Sequence, residues 1–516
     1  MNYRMFSVGI VALLCLHHMP VDAATPCEDL QRLSLPGASV TGVQSVAAGA
    51  FAPEDMPAAT AQQTRQLLER LPAFCRVVVS ARPSSDSDIR IEVWLPLSGW
   101  NGRFQAVGDG GLAGVIPIPV MAEALAAGYA VSGTDTGHVG GNANFMPGHP
   151  EKLLDFAYRS THEMAVAGKA VIAAFYGKPP AWSYYNSCSG GGRHGITSAQ
   201  RYPGDFNGIV AGAPSWNQAR LDAGRIGVNL FVNRAPGSRI PDSKYPMIHA
   251  AVMQACDALD GVKDGLIENP RACKFDYASL LCKGDDGPAC LSAPQVESAK
   301  AMTSPFRDSK TGKVLLQPHL HPGSESWWVT LGSPEPLPNS LARVRNFHLK
   351  DTKWAFRLDT IAEDIERAAR MDNGLLASDN FNLKPFFDRG GKLLMWHGWA
   401  DPQVPAENTV IYYNNVVSTV GDATKNAMTL FMMPGVLHCR GGPGPDTFDK
   451  MAAISKWVEQ GEKPARIVAA RLSGGKVQRT RPLCLFPQVA KYKGAGDIDN
   501  EASFTCVMES AGTPPR

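Results

Sequence analysis

The residues best suited to do chemistry stand in a short turn around Ser189. Residues 187–191 read Ser-Cys-Ser-Gly-Gly and lie between a strand predicted at 182–186 and a helix predicted at about 193–201. A serine on such a turn is the mark of a nucleophile elbow, whose neighbours must be small because strand and helix approach closely. Ser187 replaces the usual first glycine and is small enough to do so. The pattern predicts a catalytic serine at Ser189, although a lone glycine-rich turn is more often an ordinary loop.

Two further motifs supply the partners that a serine nucleophile needs. The run His-Gly-Trp-Ala-Asp ends at Asp401 after a strand predicted at 392–397, and His438 follows a strand predicted at 428–433. The carboxyl ends of parallel strands lie at one edge of a sheet, where such folds hold their active sites. The order serine, aspartate, histidine is that of α/β-hydrolases. We expect His438 to take the proton of Ser189 and Asp401 to orient the imidazole. If either residue occurred by itself, Asp401 would be interpreted as a turn-capping aspartate and His438 as an ordinary surface or core histidine.

The oxyanion of an acyl-transfer intermediate needs two backbone N–H donors. Gly190, directly after the nucleophile, is predicted to supply the first. The turn at residues 108–111, Gly-Asp-Gly-Gly, follows a strand predicted at 103–107 and offers the second. We predict that Gly111 rather than Gly110 is this donor, and the alternative is an ordinary tight turn.

Cysteines flank two of these residues, since Cys188 precedes Ser189 and Cys439 follows His438. If the triad forms, the two cysteines are neighbours in space and a disulfide between them is geometrically natural. The alternative, a cysteine hydrolase with Cys188 as nucleophile, is disfavoured in an oxidising compartment.

The first residues predict that compartment. Arg4, an apolar run from Phe6 to Leu16, and small residues at Val21 and Ala23 have the pattern of a signal peptide over residues 1–23, cut after Ala23. We therefore expect a secreted protein, either periplasmic or extracellular. Without the leader ten cysteines remain, and an even number in an exported chain suggests five disulfides.

Charge and composition exclude several classes of partner. The chain has 516 residues, a net charge of +2 and only 19% charged residues, with no basic run. Such a balance gives no electrostatic case for binding nucleic acid or an anionic membrane. A small-molecule substrate remains, and the oligomeric state stays open.

Alternating strands and helices predict the scaffold that holds these residues. The alternation indicates an α/β class with a doubly wound, mostly parallel sheet. It runs through residues 24–215, is lost over 216–380 where Pro, Gly, Asp and four cysteines accumulate, and resumes over 381–516. We therefore predict an α/β-hydrolase fold with a large inserted lid domain at 216–380.

At this point the sequence resembles the tannase and feruloyl esterase family, which includes mono(2-hydroxyethyl) terephthalate hydrolase. The specific marks are the Cys188-Ser189 and His438-Cys439 pairs, and the resemblance covers nearly the whole mature chain. It implies a lid over the active site and an aromatic acyl group in the substrate. It also implies five disulfides, which pair Cys27 with Cys75, Cys188 with Cys439, Cys256 with Cys273, Cys282 with Cys290, and Cys484 with Cys506.

The predicted lid contains a loop with three aspartates, residues 256–266. Carboxylates on a glycine-punctuated loop suit a hard cation, although a solvated turn is an equal alternative by composition. The loop resembles the family's calcium site. That resemblance implies a structural Ca²⁺ in the lid with ligands from Asp257, Asp260, Asp264 and the carbonyls of Val262 and Leu266.

The residues together predict a serine esterase that hydrolyses esters of aromatic, phenolic acids as feruloyl esterases do. A tannase or a terephthalate monoester hydrolase would share every catalytic residue, and a catalytically silent secreted binding protein is the alternative from another class. Two groups of lid residues are candidates for substrate contact, an aromatic group and a basic group: Trp354, Phe356 and Phe381, and Arg343, Arg345 and Arg357.

Overall fold

The computed structural model describes residues 25–53 and 62–508. The predicted signal peptide lies outside the described residues. Sixteen strands are found within those ranges, and they are numbered in chain order: β1 (Ser34–Leu35), β2 (Ala38–Val46), β3 (Phe74–Ala81), β4 (Ile89–Pro96), β5 (Arg103–Val107), β6 (Ala130–Thr134), β7 (Trp182–Cys188), β8 (Gly208–Gly212), β9 (Phe306–Arg307), β10 (Val314–Leu316), β11 (Lys392–Gly398), β12 (Met428–Met433), β13 (Arg466–Ser473), β14 (Lys476–Cys484), β15 (Gln488–Tyr492) and β16 (Phe504–Met508).

The described α-helices are numbered in the same way. They are α1 (Gln62–Leu68), α2 (Ile118–Ala126), α3 (Pro150–Leu154), α4 (Ser160–Tyr176), α5 (Gly190–Arg201), α6 (Gln218–Val232), α7 (Tyr245–Cys256), α8 (Ala293–Thr303), α9 (Val329–Gly332), α10 (Pro338–Arg343), α11 (Ile361–Asp372), α12 (Lys384–Asp388), α13 (Ala406–Val420) and α14 (Lys450–Gln460). Short 3-10 and π-helical turns fill several of the connections, among them a π turn at Asp155–Arg159 that leads into α4.

A ten-stranded sheet forms the centre of the molecule, in the order β1-β2-β3-β4-β6-β5-β7-β8-β11-β12. Strands β5, β6, β7, β8, β11 and β12 run parallel to one another. Strands β1 to β4 pair antiparallel with their neighbours. Strands covered on both faces are apolar almost throughout, and β12, Met-Thr-Leu-Phe-Met-Met, is buried at every position. The predicted mostly parallel sheet is confirmed.

Helices cover both faces of this sheet, as a doubly wound arrangement requires. One core joins α4, α5 and α13 to the sheet, and the other joins α2 and α14 to its opposite face. Neighbouring residues of β7 point to opposite sides, so that Tyr185 packs in the first core and Tyr184 in the second. This is the architecture of an α/β-hydrolase, as predicted.

The chain leaves the sheet after β8 and returns at β11. Between these strands lie the helices α6 to α12 and the β9-β10 hairpin, with two cores of their own. The segment begins with α6, whose residues Gln218–Val232 are mostly buried. The interruption lasts from the end of β8 at Gly212 to the start of β11 at Lys392, so it extends beyond the predicted segment 216–380 at both ends.

Five disulfides hold the described chain together. They join Cys27 to Cys75, Cys188 to Cys439, Cys256 to Cys273, Cys282 to Cys290, and Cys484 to Cys506. The last one links the two C-terminal hairpins, β13-β14 and β15-β16. The pairing implied by the family resemblance is confirmed.

Three strands of the sheet, β1, β2 and β8, were missing from the sequence-based prediction. In β2 the alternation of valines breaks where the register with β3 shifts between Val40 and Gly42, since a bulge adds a residue and moves side chains to the other face. In β8 the sequence Gly-Ile-Val-Ala-Gly is short and glycine-bounded. Such a run resembles a turn until its neighbours β7 and β11 are known.

Candidate active site

Ser189 stands on a strained turn between β7 and α5. Its backbone has φ 63° and ψ −127°, a conformation that costs a non-glycine residue energy and is concentrated at functional sites. The turn is held because the Ser189 N–H donates to the Gly212 carbonyl at 2.9 Å, and the Arg193 N–H donates to the Ser189 carbonyl at 3.0 Å. A Cβ on Gly191 would lie 2.7 Å from the Asp109 carbonyl oxygen, so only glycine fits there. The elbow prediction matches this geometry.

Ser189, His438 and Asp401 form one chain of hydrogen bonds. His438 Nε2 lies 2.8 Å from Ser189 Oγ, and His438 Nδ1 lies 2.7 Å from Asp401 Oδ2. Asp401 Oδ1 accepts the N–H groups of Gln403 and Val404 at 2.7 and 2.9 Å. Because a carboxylate only accepts, Nδ1 carries the proton and Nε2 is free to accept one from the serine. The three residues predicted at separate strand ends are therefore brought together in the geometry that a nucleophile, a base and an orienting carboxylate require.

A second histidine contacts the same carboxylate oxygen, and the sequence-based prediction gave it no role. His397 Nε2 lies 3.0 Å from Asp401 Oδ2 and 3.1 Å from the Val404 carbonyl oxygen, while its Nδ1 lies 2.6 Å from Thr409 Oγ1. Both partners of Nε2 are acceptors, so Nε2 carries a hydrogen, and in the neutral ring Nδ1 accepts the Thr409 hydroxyl. The spacing of four residues between His397 and Asp401 was a visible signal.

The environment of Asp401 keeps it ionised. Burial by itself raises the pKa of this carboxyl, but the neighbouring His438 and the hydrogen bonds from His397 and His438 outweigh burial and hold the pKa below its usual range. The side chain is fully buried. A fixed negative charge at this place can stabilise the imidazolium that forms when Ser189 loses its proton.

The oxyanion donors predicted at Gly111 and Gly190 lie next to each other. A Cβ on Gly190 would be 3.3 Å from the Gly111 nitrogen, and one on Gly110 would be 3.4 Å from Ser189 Oγ. Gly110 donates its N–H to Asp109 Oδ1 at 2.7 Å. Because that donor is used within the turn, the Gly111 N–H is the better placed of the two, which supports the choice of Gly111.

The Cys188–Cys439 disulfide joins the residue before the nucleophile to the residue after the histidine. Its Cα atoms are 6.1 Å apart and it spans 251 residues of sequence. Cys188 is thus bonded and is not a free thiol. The bond ties the end of β7 to the loop after β12, so the separation of Ser189 and His438 is restrained covalently.

A cavity of about 460 Å³ opens on Ser189, His438, Gly111 and Gly190. Typical small-molecule sites have volumes of ~300–1,000 Å³. Its other walls come from residues after β8 and from the loop after Asp401. They are Ser215, Gln218, Arg225, Thr330, Leu337, Pro338, Asn339, Ser340, Arg343, Gln403 and Val404.

The aromatic lid residues named from the sequence do not line this cavity. Phe381 packs against Trp216 and Tyr412, and Trp354 and Phe356 pack at the edge of the core around α6 and α11. Among the described residues, the lining includes no Phe, Tyr or Trp side chain. Burial of their apolar area places these rings in the cores, so the hypothesis of an aromatic lining is wrong for them.

Of the three lid arginines named from the sequence, one lines the cavity and two do not. Arg343 lines the cavity, whereas Arg345 donates to the Trp354 carbonyl oxygen and Arg357 forms an exposed ion pair with Asp359. Arg343 is bonded to Asp222, with Nε and Nη2 at 2.6 and 2.7 Å from the carboxylate oxygens. Sequence patterns gave no signal for Asp222, because 121 residues separate the two partners.

The loop predicted to hold calcium lies far from the triad in sequence and close to the C-terminal hairpins. Asp257 Oδ1 accepts the N–H groups of Asp264, Gly265 and Leu266 at 3.1–3.3 Å. Asp260 Oδ1 accepts the Val262 N–H at 3.2 Å.

The Asp264 carboxylate contacts the guanidinium of Arg481, which lies in β14. Among the described residues, the one group of three His, Cys, Asp or Glu with ligand atoms within 4.8 Å of one another is Cys282, Asp286 and Cys290. Those two cysteines are bonded to each other, so that group offers no free thiolate to a metal.

Comparison with known proteins assigns the family. The family model described as tannase and feruloyl esterase matches residues 75–507. An uncharacterised esterase of Xanthomonas campestris is 35% identical, with 95% of this chain and 92% of that protein covered. The mono(2-hydroxyethyl) terephthalate hydrolase of Piscinibacter sakaiensis is 33% identical over 84% of this chain and 85% of its own length.

A solved structure agrees with these matches. The crystal structure of feruloyl esterase B from Aspergillus oryzae superposes with a TM-score of 0.85 at 30% identity, covering 93% of this chain and 99% of that one. The resemblance seen in the motifs is thereby confirmed. The chain belongs to the tannase and feruloyl esterase family, and it is a carboxylic ester hydrolase with the α/β-hydrolase fold.

Proposed function

We propose that this feruloyl-esterase-like hydrolase cleaves esters of aromatic acids through an acyl-Ser189 intermediate. The observation that carries the mechanism is the hydrogen-bond chain from Ser189 through His438 to Asp401, at 2.8 and 2.7 Å, on a strained elbow. The aromatic acyl group rests on family membership. A tannase or a terephthalate monoester hydrolase has the same catalytic residues, so the cavity walls must decide among these substrates.

The chemistry follows from the positions of the protons. Ser189 Oγ attacks the ester carbonyl carbon while its proton passes to His438 Nε2, and Asp401 stabilises the resulting imidazolium. The carbonyl oxygen becomes an oxyanion, for which Gly111 and Gly190 offer N–H donors.

The intermediate then collapses. The bond to the alkoxy oxygen breaks, and His438 returns its proton to the departing alcohol. Water repeats the sequence on the acyl-serine, releasing the carboxylic acid and restoring the Ser189 hydroxyl.

The test is hydrolysis of methyl ferulate, methyl gallate, mono(2-hydroxyethyl) terephthalate and a short p-nitrophenyl ester by the wild type and by Ser189→Ala. Loss of a triad member typically costs several orders of magnitude in kcat, so we expect a fall of at least ~10³-fold on every ester that the wild type cleaves. Ser39→Ala, on the exposed face of β2, is the matched control and should keep full activity. Activity that survives Ser189→Ala would refute the mechanism. Absence of activity on all four esters would favour a silent binding protein.

We also propose that the protein is exported. The leader pattern of residues 1–23 supports this, and so do five disulfides, which persist in oxidising compartments. No described helix is long and apolar enough to span a bilayer. N-terminal sequencing of the protein recovered from the periplasm and the medium tests the proposal, with Ala24 expected as the first residue.

We propose a structural Ca²⁺ at the aspartate loop. The donor chemistry fits, because Asp257, Asp260 and Asp264 are hard oxygen ligands. Burial raises the pKa of Asp260 to about 6, and the charge of Asp257 adds to the rise while Arg481 opposes it. A bound cation would favour the ionised form of Asp260. The carbonyls of Val262 and Leu266 are the further ligands expected.

Metal analysis and thermal unfolding test this site. We expect about one Ca²⁺ per chain and a fall in Tm of several degrees on adding EDTA, reversed by CaCl2, because a ligand that binds only the folded state stabilises it. Asp260→Asn should lose most of that response, while Asp359→Asn, an exposed aspartate of the inserted segment, should keep it. If EDTA leaves Tm unchanged, the calcium proposal is refuted, and the Arg481 guanidinium rather than Ca²⁺ neutralises the aspartates of the loop.

A further inference from the structure

The catalytic cavity contains a second buried guanidinium, that of Arg225 on α6. Its side chain is 7% exposed and it lines the same cavity as Ser189 and His438. Charged side chains are rarely buried without a partner of opposite charge. The partners of Arg225 therefore indicate whether its charge is already compensated.

Asp222 is the carboxylate that Arg225 contacts, and other groups already occupy it. Arg343 binds it with two hydrogen bonds of 2.6 and 2.7 Å, Ser340 Oγ donates at 2.8 Å and Gln218 Nε2 donates at 2.8 Å. Arg225 Nη1 lies farther away, at 3.3 Å. Burial alone raises the pKa of Asp222, but the charge and hydrogen bonds of Arg343 outweigh it and keep the pKa low. Asp222 thus carries one negative charge, matched by Arg343.

Arg225 keeps unused hydrogen-bonding capacity. Its Nε is buried and has no hydrogen-bond partner among the described residues, and its other contact is Ser340 Oγ at 3.4 Å from Nη1. Burial lowers the pKa of this guanidinium to about 10, which leaves it charged at neutral pH. Asp401 also favours its charged form, but both oxygens of that carboxylate are bonded to His438, His397 and the loop N–H groups.

We propose that Arg225 binds a carboxylate of the substrate, so that the enzyme prefers esters that carry a second, ionised acid group. The inference rests on the proposed function, because it places the ester carbonyl at Ser189 and the carboxylate within the same cavity. A planar guanidinium suits a carboxylate because it offers donors in a fixed fork. A neutral phenol or methoxy group would leave Arg225 and Arg343 to share the single negative charge of Asp222. The carboxylate can belong to the acyl half or to the alcohol half of the ester.

Two matched pairs of esters show whether the bound carboxylate belongs to the acyl half or to the alcohol half. In the acyl pair, methyl 4-carboxybenzoate is compared with methyl 4-carbamoylbenzoate, which has the same shape without the charge. In the alcohol pair, carboxymethyl benzoate is compared with carbamoylmethyl benzoate. A hydrogen bond to a charged group changes an equilibrium or rate ratio by ~10- to 100-fold. We expect the wild type to favour the acid over the amide by that factor in kcat/KM in one of the pairs.

Variants then assign the preference to Arg225. Arg225→Met should reduce the acid-to-amide ratio to near one, and Arg357→Gln, which changes an exposed arginine outside the cavity, should preserve it. Asp222→Asn should raise the ratio, because it removes the competing negative charge. If Arg225→Met fails to fold, the wild-type ratio and the Asp222→Asn ratio still decide.

The proposal is overturned if the wild type shows no preference in either pair or if Arg225→Met keeps it. Either result leaves the proposed ester hydrolysis through Ser189 unaffected, provided that Ser189→Ala is inactive. Hydrolysis that persists in Ser189→Ala would instead refute the acyl-serine mechanism on which this inference rests.

Discussion

Removal of the Cys188–Cys439 disulfide should destabilise the protein more than removal of any short-range disulfide. The bond spans 251 residues and joins β7 to the loop after β12, whereas Cys282–Cys290 spans 8 residues within the inserted segment. We consider the double variants Cys188→Ala/Cys439→Ala and Cys282→Ala/Cys290→Ala. Both remove one bond, so the second is a matched control for the first.

The chain-entropy relation sets the expected size of the effect. A closed loop of roughly 250 residues corresponds to about 5.5 kcal/mol at 25 °C, and one of roughly 8 residues to about 2.5 kcal/mol. The two disulfides nested inside the long loop shorten it by few residues, and the loop length enters only as a logarithm. We therefore expect the free energy of unfolding to differ by about 3 kcal/mol between the two variants.

The assay is urea unfolding followed by tryptophan fluorescence, with the slope m measured for each variant. Hydrolysis of methyl ferulate is measured on the folded variants as well. Because Cys439 adjoins His438, we expect kcat to fall in the first variant and to stay at the wild-type value in the second. A difference in unfolding free energy below ~1 kcal/mol, or one of opposite sign, would refute the loop-entropy argument.

Two further predictions concern buried polar groups. His397→Leu removes a donor to Asp401, and since a hydrogen bond to a charged group contributes ~1.5–3 kcal/mol, kcat should fall ~10- to 100-fold. His397→Gln should recover part of the loss, whereas an unchanged kcat in the leucine variant would contradict the contact's importance. Burial raises the pKa of Asp135 to about 7 although its Oδ1 accepts the Arg90 and Gly137 N–H groups. The folded state therefore holds this proton more tightly than the unfolded state, so Asp135 lowers stability as pH rises from about 4 to 7, by roughly 4 kcal/mol at most. Asp135→Asn should flatten this dependence in urea unfolding at pH 5 and pH 8, and a slope equal to that of the wild type would contradict it.

The three residues of the proposed triad could be singled out from the sequence because each stands in a local pattern that the proposed chemistry requires. Ser189 needs small neighbours to occupy its strained turn, and Asp401 and His438 directly follow strands whose apolar runs mark them as buried. The order of the strands along the sheet then brings the three ends together.

The walls of the cavity could not be predicted in this way. The contact of Asp222 with Arg343 joins residues 121 positions apart, and no periodicity in the sequence specifies which buried arginine has a carboxylate partner. The same holds for Thr409, which contacts His397 only because α13 packs beside β11. Three aromatic residues, Trp354, Phe356 and Phe381, were candidates for the cavity lining, but they pack in or against the hydrophobic cores instead.

The sequence by itself determined the scaffold and indicated the three residues of the proposed triad, because these depend on short-range patterns of burial and turn geometry. Only the tertiary structure decided which groups line the cavity and which of them share one partner of opposite charge. The physical reason is that pairing of buried charges depends on contacts between distant segments. Arg343 and Arg225 share one residue type and one cavity, yet Asp222 binds the first at 2.6 and 2.7 Å and the second at 3.3 Å.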